Sequence, residues 1–262
     1  RSKVIEPLGE ARGDYVIYAE LARRLGYGHL WPQSEEAMVE HALEGTGITR
    51  EQLLTQPEGI VFDRPDMHYR KYESGELRAD GKPGFNTPSG KVELYNKSFE
   101  SWDMDPLPFY TEPPQSEAST PELFKKYPLV MITGARSNLF FHSEHRQIPW
   151  LREKEPDPTV EVHPDTAKEY DVYDGEWIHL ENDMGHIKRK VTISLKVKPN
   201  HIQTLHGWFM PEAEGAEPNL FNVWDYQVNQ IIPGPQASKS GFGGGQYKTT
   251  LVRLAKISEG SA

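Results

Sequence analysis

The chain has 262 residues, 36% of them hydrophobic, with no cysteine and a formal charge of -10. That length allows one large domain or two modest ones around a substantial core, and the absence of cysteine excludes disulfides, thiolate metal ligands and iron-sulfur ligands from within these residues. The acidic balance argues against nucleic acid as a partner, because phosphate backbones are gripped by a basic footprint. An anionic ligand would therefore need a local basic island.

No apolar run approaches the roughly 20 residues that span a bilayer, so no membrane contact is expected from this chain. The start, Arg1-Ser2-Lys3-Val4, has neither an initiator Met nor a signal-peptide apolar stretch. It reads as a piece of something longer, and the compartment stays open.

The first third is expected to be helical. Asp14 is placed to cap a segment in which Val16, Ile17, Leu21, Ala22 and Leu25 follow helical spacing, with Gly26 where a left-handed terminator belongs. A second helix is expected after Ser34. Thr49 and Gln52 have capping-box spacing before Leu53, which predicts a third. Gly84 to Tyr95 reads as a Gly/Pro turn feeding a strand. Asp105 to Pro121, with five prolines among Ser and Glu, reads as a linker.

From Pro128 the pattern turns to β. Leu129-Val130-Met131-Ile132 is a short apolar run ending near Gly134, the profile of a buried strand delivering a loop. Thr159 to Val162 is a second strand, and Pro164 opens a helix from its favoured first position. Asp174-Gly175 turns into a strand at Trp177 to Leu180, which a turn at Asn182 to Gly185 joins to Ile187 to Leu195. Strands near Ile202 to Leu205 and Thr250 to Leu254 complete a β-rich unit read as a barrel with a few short helices.

Several segments, in order, resemble the C-terminal region of the dimethyl sulfoxide reductase superfamily of molybdenum and tungsten enzymes. Val4 to Arg12 looks like the stretch ahead of the cofactor domain, and Gly84 to Tyr95 resembles a family hallmark. Thr133-Gly134-Ala135-Arg136 is similar to the family's Thr-Gly-Arg loop with one residue inserted, and His142-Ser143 matches the His-x-x-Thr/Ser element that follows it. His142 to Gln147, with Ile148-Pro149-Trp150-Leu151 after it, looks like the branch of acetylene hydratase and the catechol dehydroxylases. Val228-Asn229-Gln230-Ile231-Ile232 is similar to an Asn-x-Leu-Thr cofactor contact in which Ile232 has lost the hydroxyl. Ser240 to Lys248 resembles the glycine-rich loop that closes over the cofactor.

The resemblance implies an α+β chain. Residues 1 to 120 would be the helical tail of preceding α/β domains with the proline-rich linker, and residues 121 to 262 a double-psi β-barrel-like domain binding molybdopterin guanine dinucleotide. Thr133, Gly134, Arg136, His142, Ser143, Arg146, Asn229, Gln246 and Lys248 would contact the cofactor. The parent enzyme would hold two such dinucleotides around Mo or W. Its iron-sulfur cluster and the protein ligand to the metal would lie elsewhere, so no residue here is expected to be catalytic and the chain alone is not expected to turn over. The rest of the catalytic subunit is the implied partner, with an iron-sulfur electron-transfer subunit as a further one. An export signal of the twin-arginine type, if present, would precede Arg1.

The residues support this reading in their own right. A strand-end glycine bares backbone N-H groups to an anion, and a guanidinium grips diphosphate oxygens in pairs. Gln236 to Lys256 contains Lys239, Lys248, Arg253 and Lys256 with no acid, while Arg136 and Arg146 make a second basic locus. Two other readings stand beside it. One is a zinc-dependent hydrolase using His142, His145 and His163, although the H-E-x-x-H pattern is absent. The other is a non-enzymatic β-barrel interaction module with a helical arm.

Overall fold

The computed structural model describes residues 4–61, 69–134, 136–234 and 247–257. Gln246 and the glycine-rich stretch 240–245 lie outside the described residues. The chain divides into two compact units, Arg1–Val92 and Glu93–Ala262.

The first unit is built of short helices. Helix α1 (Asp14–Arg24) starts one residue later than a capping Asp14 would require: Gly13 is the N-cap, without a side-chain bond, and Asp14 is the first helical residue. There its carboxylate still faces the positive end of the peptide dipoles. Gly26, at φ +84°, ends the helix, and the Tyr27 N-H reaches back to the Ala22 carbonyl at 2.8 Å. Of the residues at helical spacing only Ala22 is buried, joined by Ala19; Ile17, Leu21 and Leu25 are exposed.

Helix α2 (Glu35–Leu43) is capped by Ser34, which accepts from the Ala37 N-H. Helix α3 (Arg50–Thr55) has the full reciprocal box of Thr49 and Gln52. After the single turn α4 (Lys71–Ser74), the strand expected within Lys91 to Tyr95 does not form. The stretch closes on itself instead: the Phe85 N-H donates to the Gly90 carbonyl, the Gly90 N-H to Thr87, and the Thr87 hydroxyl to the Lys91 carbonyl. A strand needs a neighbour to take its other hydrogen bonds, and here the turn uses the backbone groups locally.

The second unit begins with α5 (Lys97–Ser101) and includes the proline-rich segment, where the Gln115 side-chain carbonyl accepts from the Leu251 N-H. Helix α6 (Pro121–Lys126) leads into strand β1 (Leu129–Ile132). Helix α7 (Pro149–Arg152), β2 (Thr159–Val162), α8 (Pro164–Glu169), β3 (Trp177–Asn182), β4 (Gly185–Ile193), β5 (His201–Thr204), α9 (Val223–Tyr226) and β6 (Thr250–Lys256) follow. The six strands close into a barrel in the order β1-β5-β2-β4-β3-β6, with β1/β5 and β2/β4 parallel and the other neighbours antiparallel.

Alternation explains the core. Leu129 and Met131, Val160 and Val162, Ile178 and Leu180, Ile187 and Val191, and Val252 and Leu254 point inward at every second position. Val228, Ile231 and Ile232 join this core from the stretch after α9. Thr204 and Thr250 are polar at inward positions, and one inward position is charged: Arg189, between Ile187 and Val191, is 0% exposed.

Candidate functional site

Strand register gathers the site at one end of the barrel. Because β1 and β5 are parallel, with Ile132 opposite Gln203, their C-terminal ends deliver Thr133-Gly134 and Leu205-His206-Gly207 side by side. Strand β6 runs antiparallel to β1, Thr250 opposite Met131, so Tyr247 and Lys248 enter at the same end. Thr133 locks this junction: its N-H (2.8 Å) and its hydroxyl (3.0 Å) both donate to the Tyr247 carbonyl.

Gly134 is exposed and has an ordinary backbone conformation. A Cβ there would lie 3.8 Å from Ile132 and 4.0 Å from the Lys248 side chain, which is normal contact. The fold itself therefore tolerates a side chain at this position, and its absence keeps the surface open. Arg136 lies just beyond, exposed. Among the described residues neither Arg136 nor Lys248 has an ion pair.

From Phe140 the loop tightens. Phe141 and Glu144 form an isolated bridge around His142 and Ser143, and both His142 (φ 54°) and His145 (φ 74°) hold left-handed backbone. Such strain in residues with side chains persists where surroundings enforce it. Two contacts do so here. At Gly207, φ +69°, a Cβ would fall 2.9 Å from the His142 carbonyl and the Ser143 nitrogen, so only glycine lets the two loops touch. Arg146, 2% exposed, then ties them: its Nε donates to the Gly207 carbonyl (2.7 Å), and its Nη2 to the His142 (3.1 Å) and His206 (3.0 Å) carbonyls. The guanidinium lies 4.0 Å from the Trp208 ring centre and 4.5 Å from that of Phe140. Its Nη1 is buried without a partner. Burial pushes Arg146 down to about 10; Glu155 opposes the shift and Arg152 adds to it.

Two residues that the sequence did not single out belong to this site. His206 is half-buried, and its Nε2 faces His142 Nδ1 at 2.7 Å. Burial, then His142, hold its imidazole below the ordinary value; a backbone hydrogen bond with Thr133 opposes them, and Arg136 and Arg146 add to the lowering. Arg189 reaches up through the barrel, its Nε donating to the Thr204 hydroxyl (2.7 Å), its Nη1 to the Lys188 carbonyl (2.7 Å) and its Nη2 to the Leu205 carbonyl (3.3 Å). Burial pushes it to about 9, with Arg146 second and Tyr226 opposing. Period-two alternation was the signal for Arg189, since it alone of Lys188, Arg189 and Lys190 falls on the inward phase.

Arg136, Ser137, Phe140, His142, Arg146, Leu205 and His206 line one shallow pocket. A larger cleft of about 750 Å³ in the first unit is bordered by Glu40, Glu44 and Glu51, the wrong sign for a phosphate. Of the other expected residues, Ser143 is exposed on the turn beside His142, and Asn229 is exposed on the turn whose Val228 enters the core. No hydrogen bond or ion pair joins Asn229 to the group around His142 among the described residues.

The zinc alternative fails on geometry. His163 Nδ1 caps α8 by accepting from the Asp165 N-H, and His142 is engaged with His206. No group of three or more metal-ligating side chains occurs among the described residues.

Residues 129–240 match the family model of the molydopterin dinucleotide binding domain. That decides the family. The chain belongs to the dimethyl sulfoxide reductase superfamily, on its acetylene hydratase-like branch. It is 36% identical over 221 residues to acetylene hydratase of Syntrophotalea acetylenica, covering 84% of this chain and 29% of that protein. It is 38% identical over 186 residues to dopamine dehydroxylase of Eggerthella lenta, covering 63% and 18%. The solved structure of acetylene hydratase from Pelobacter acetylenicus superposes with a TM-score of 0.78 at 30% identity, covering 98% of this chain and 34% of that one. The chain thus spans under a third of the acetylene hydratase sequence that it matches. Residues 129–240, which include barrel strands β1 to β5, are its molybdopterin dinucleotide-binding domain.

Proposed function

We propose that the barrel end around Gly134 grips the phosphate-bearing part of a molybdopterin guanine dinucleotide. The observation that carries this is the convergence, in a chain of net charge -10, of Arg136, Lys248, Arg146 and Arg189 at that end, none of them ion-paired among the described residues. Arg136 and Lys248 flank the open face of Gly134 and would hold the diphosphate, Arg136 bidentately. His142 and Ser143 would add hydrogen bonds, with Thr133 fixing the strand end and Gln246 and Asn229 completing the set. Arg146 serves chiefly as the clamp of the two loops, and its free Nη1 is the donor left for the ligand. The orphaned buried donor, the unpaired cations and the glycine surface all fit an anion.

The barrel, with its two parallel pairs, would be of the double-psi kind, and residues 1 to 120 the tail of preceding domains. In the parent enzyme a pair of such dinucleotides would carry Mo or W, with the metal ligand and an iron-sulfur cluster supplied from other residues. The cofactor supplies the electron chemistry, by default a two-electron redox step, and this chain orients it and excludes water. The rest of the catalytic subunit and an iron-sulfur electron-transfer subunit are the proposed partners.

Gly134→Val tests the reading. Because a Cβ meets nothing closer than 3.8 Å, the variant is expected to unfold at the wild-type temperature while the full-length protein loses most of its acid-releasable GMP. Wild-type GMP content with a wild-type melting curve would remove Gly134 from the site.

A further inference from the structure

We propose that His206 is a positioning residue for His142: the two rings share one proton, and the pair takes up another when a phosphate-bearing ligand binds, which leaves both outer nitrogens as donors. This rests on the reading of the barrel end as an anion site.

The scaffold imposes the pairing. One nitrogen of Arg146 donates to the carbonyls of both His142 and His206, and Gly207 allows the loops to meet at van der Waals distance. The rings are left 2.7 Å apart, Nδ1 to Nε2. Two neutral imidazoles hydrogen-bond only if one offers N-H and the other a lone pair. Whichever ring donates, the neutral pair keeps one outer nitrogen as a bare lone pair, a poor partner for phosphate oxygens.

Proton uptake cures this. One proton from bulk water adds to that bare nitrogen; no other bond breaks, and the proton returns to solvent when the ligand leaves. The charged groups acting on His206 are His142, Arg136 and Arg146, with no carboxylate among them, and together with burial they hold its imidazole below the ordinary value. An anion between these cations reverses the balance. Ligand binding raises the affinity of the pair for a proton, so binding is strongest at low pH and weakens as pH rises through the value of the loaded pair.

The test is calorimetry of the 262-residue chain with inorganic pyrophosphate, repeated in buffers of different ionisation heat. The wild type is expected to absorb close to one proton more per pyrophosphate near neutral pH than His206→Gln or His142→Gln; ionisation of pyrophosphate itself cancels in that difference. Wild-type affinity should fall by up to about tenfold per pH unit across the transition and be flatter in both variants. Equal proton uptake in the wild type and a folded variant overturns the proposal. If His206→Gln does not fold, His142→Gln alone decides. Binding that Arg136→Ala abolishes, but that takes up no extra proton in the wild type, sinks the histidine pair and leaves the anion site standing. No pyrophosphate binding to the wild type sinks both.

Discussion

Gly207→Ala is expected to lower the unfolding free energy of the barrel unit by about 2–4 kcal/mol, which adds the cost of a left-handed alanine to that of overpacking. At φ +69° the residue sits where L side chains are disfavoured, and its new methyl would meet backbone atoms of His142 and Ser143 at 2.9 Å. Backbone cannot swing aside as a side-chain end can, so the 140–146 loop must retreat. That loop holds His142 in strained backbone, and anion binding should weaken along with stability. Urea denaturation followed by near-ultraviolet dichroism reads the change through Trp208, fully buried next to the substitution. A loss below about 0.5 kcal/mol, the usual range of surface substitutions, would mean that the loops do not meet as described.

Arg146→Met is expected to cost about 3–5 kcal/mol, in the range for breaking a buried charged interaction by removing one side of it. Replacing a buried cation by a hydrophobe is often harmless when its partners can be replaced as well. Here the partners are the carbonyls of Gly207, His142 and His206. They cannot be mutated away and would be left buried without donors. Arg146→Lys should recover little, because an ammonium cannot reproduce the flat fork lying against Trp208 and Phe140. Thermal melts of both variants beside the wild type check this. A methionine variant as stable as the wild type would show that Arg146 does not hold the loops together.

Local rules wrote much of this fold legibly. Short apolar-rich stretches between turn residues marked all six barrel strands, and the Thr49/Gln52 box marked its helix because the signal is complete within four residues. One local signal missed by a single residue: Asp14 had cap chemistry, but Gly13 took the cap position. Where a rule needed a distant partner it failed. Lys91 to Tyr95 had strand composition without a strand to pair with. Ile17, Leu21 and Leu25 had helical spacing, yet spacing says nothing of what covers a face, and they are exposed.

The site divides in the same way. Gly134, Arg136 and His142 could be named as candidates because they lie on one short stretch after a recognisable strand. His206 could not, since its meeting with His142 depends on the parallel pairing of β1 with β5, a relation with no local signature. Sequence carries no burial, so it could not show that Arg146 is buried with its hydrogen bonds running to the carbonyls of Gly207, His142 and His206.

The most direct measurement is cofactor content of the full-length protein: GMP released by acid per polypeptide, in wild type, Arg136→Ala and Lys198→Ala. Lys198 is exposed just before β5, at the opposite end of that strand, and its removal changes net charge by the same amount. Losing a charged partner from a desolvated anion site weakens retention by roughly tens-fold or more. Arg136→Ala should therefore emerge from gel filtration largely depleted of GMP, with Lys198→Ala matching the wild type. Equal GMP in all three would contradict the assignment of the dinucleotide to this end of the barrel.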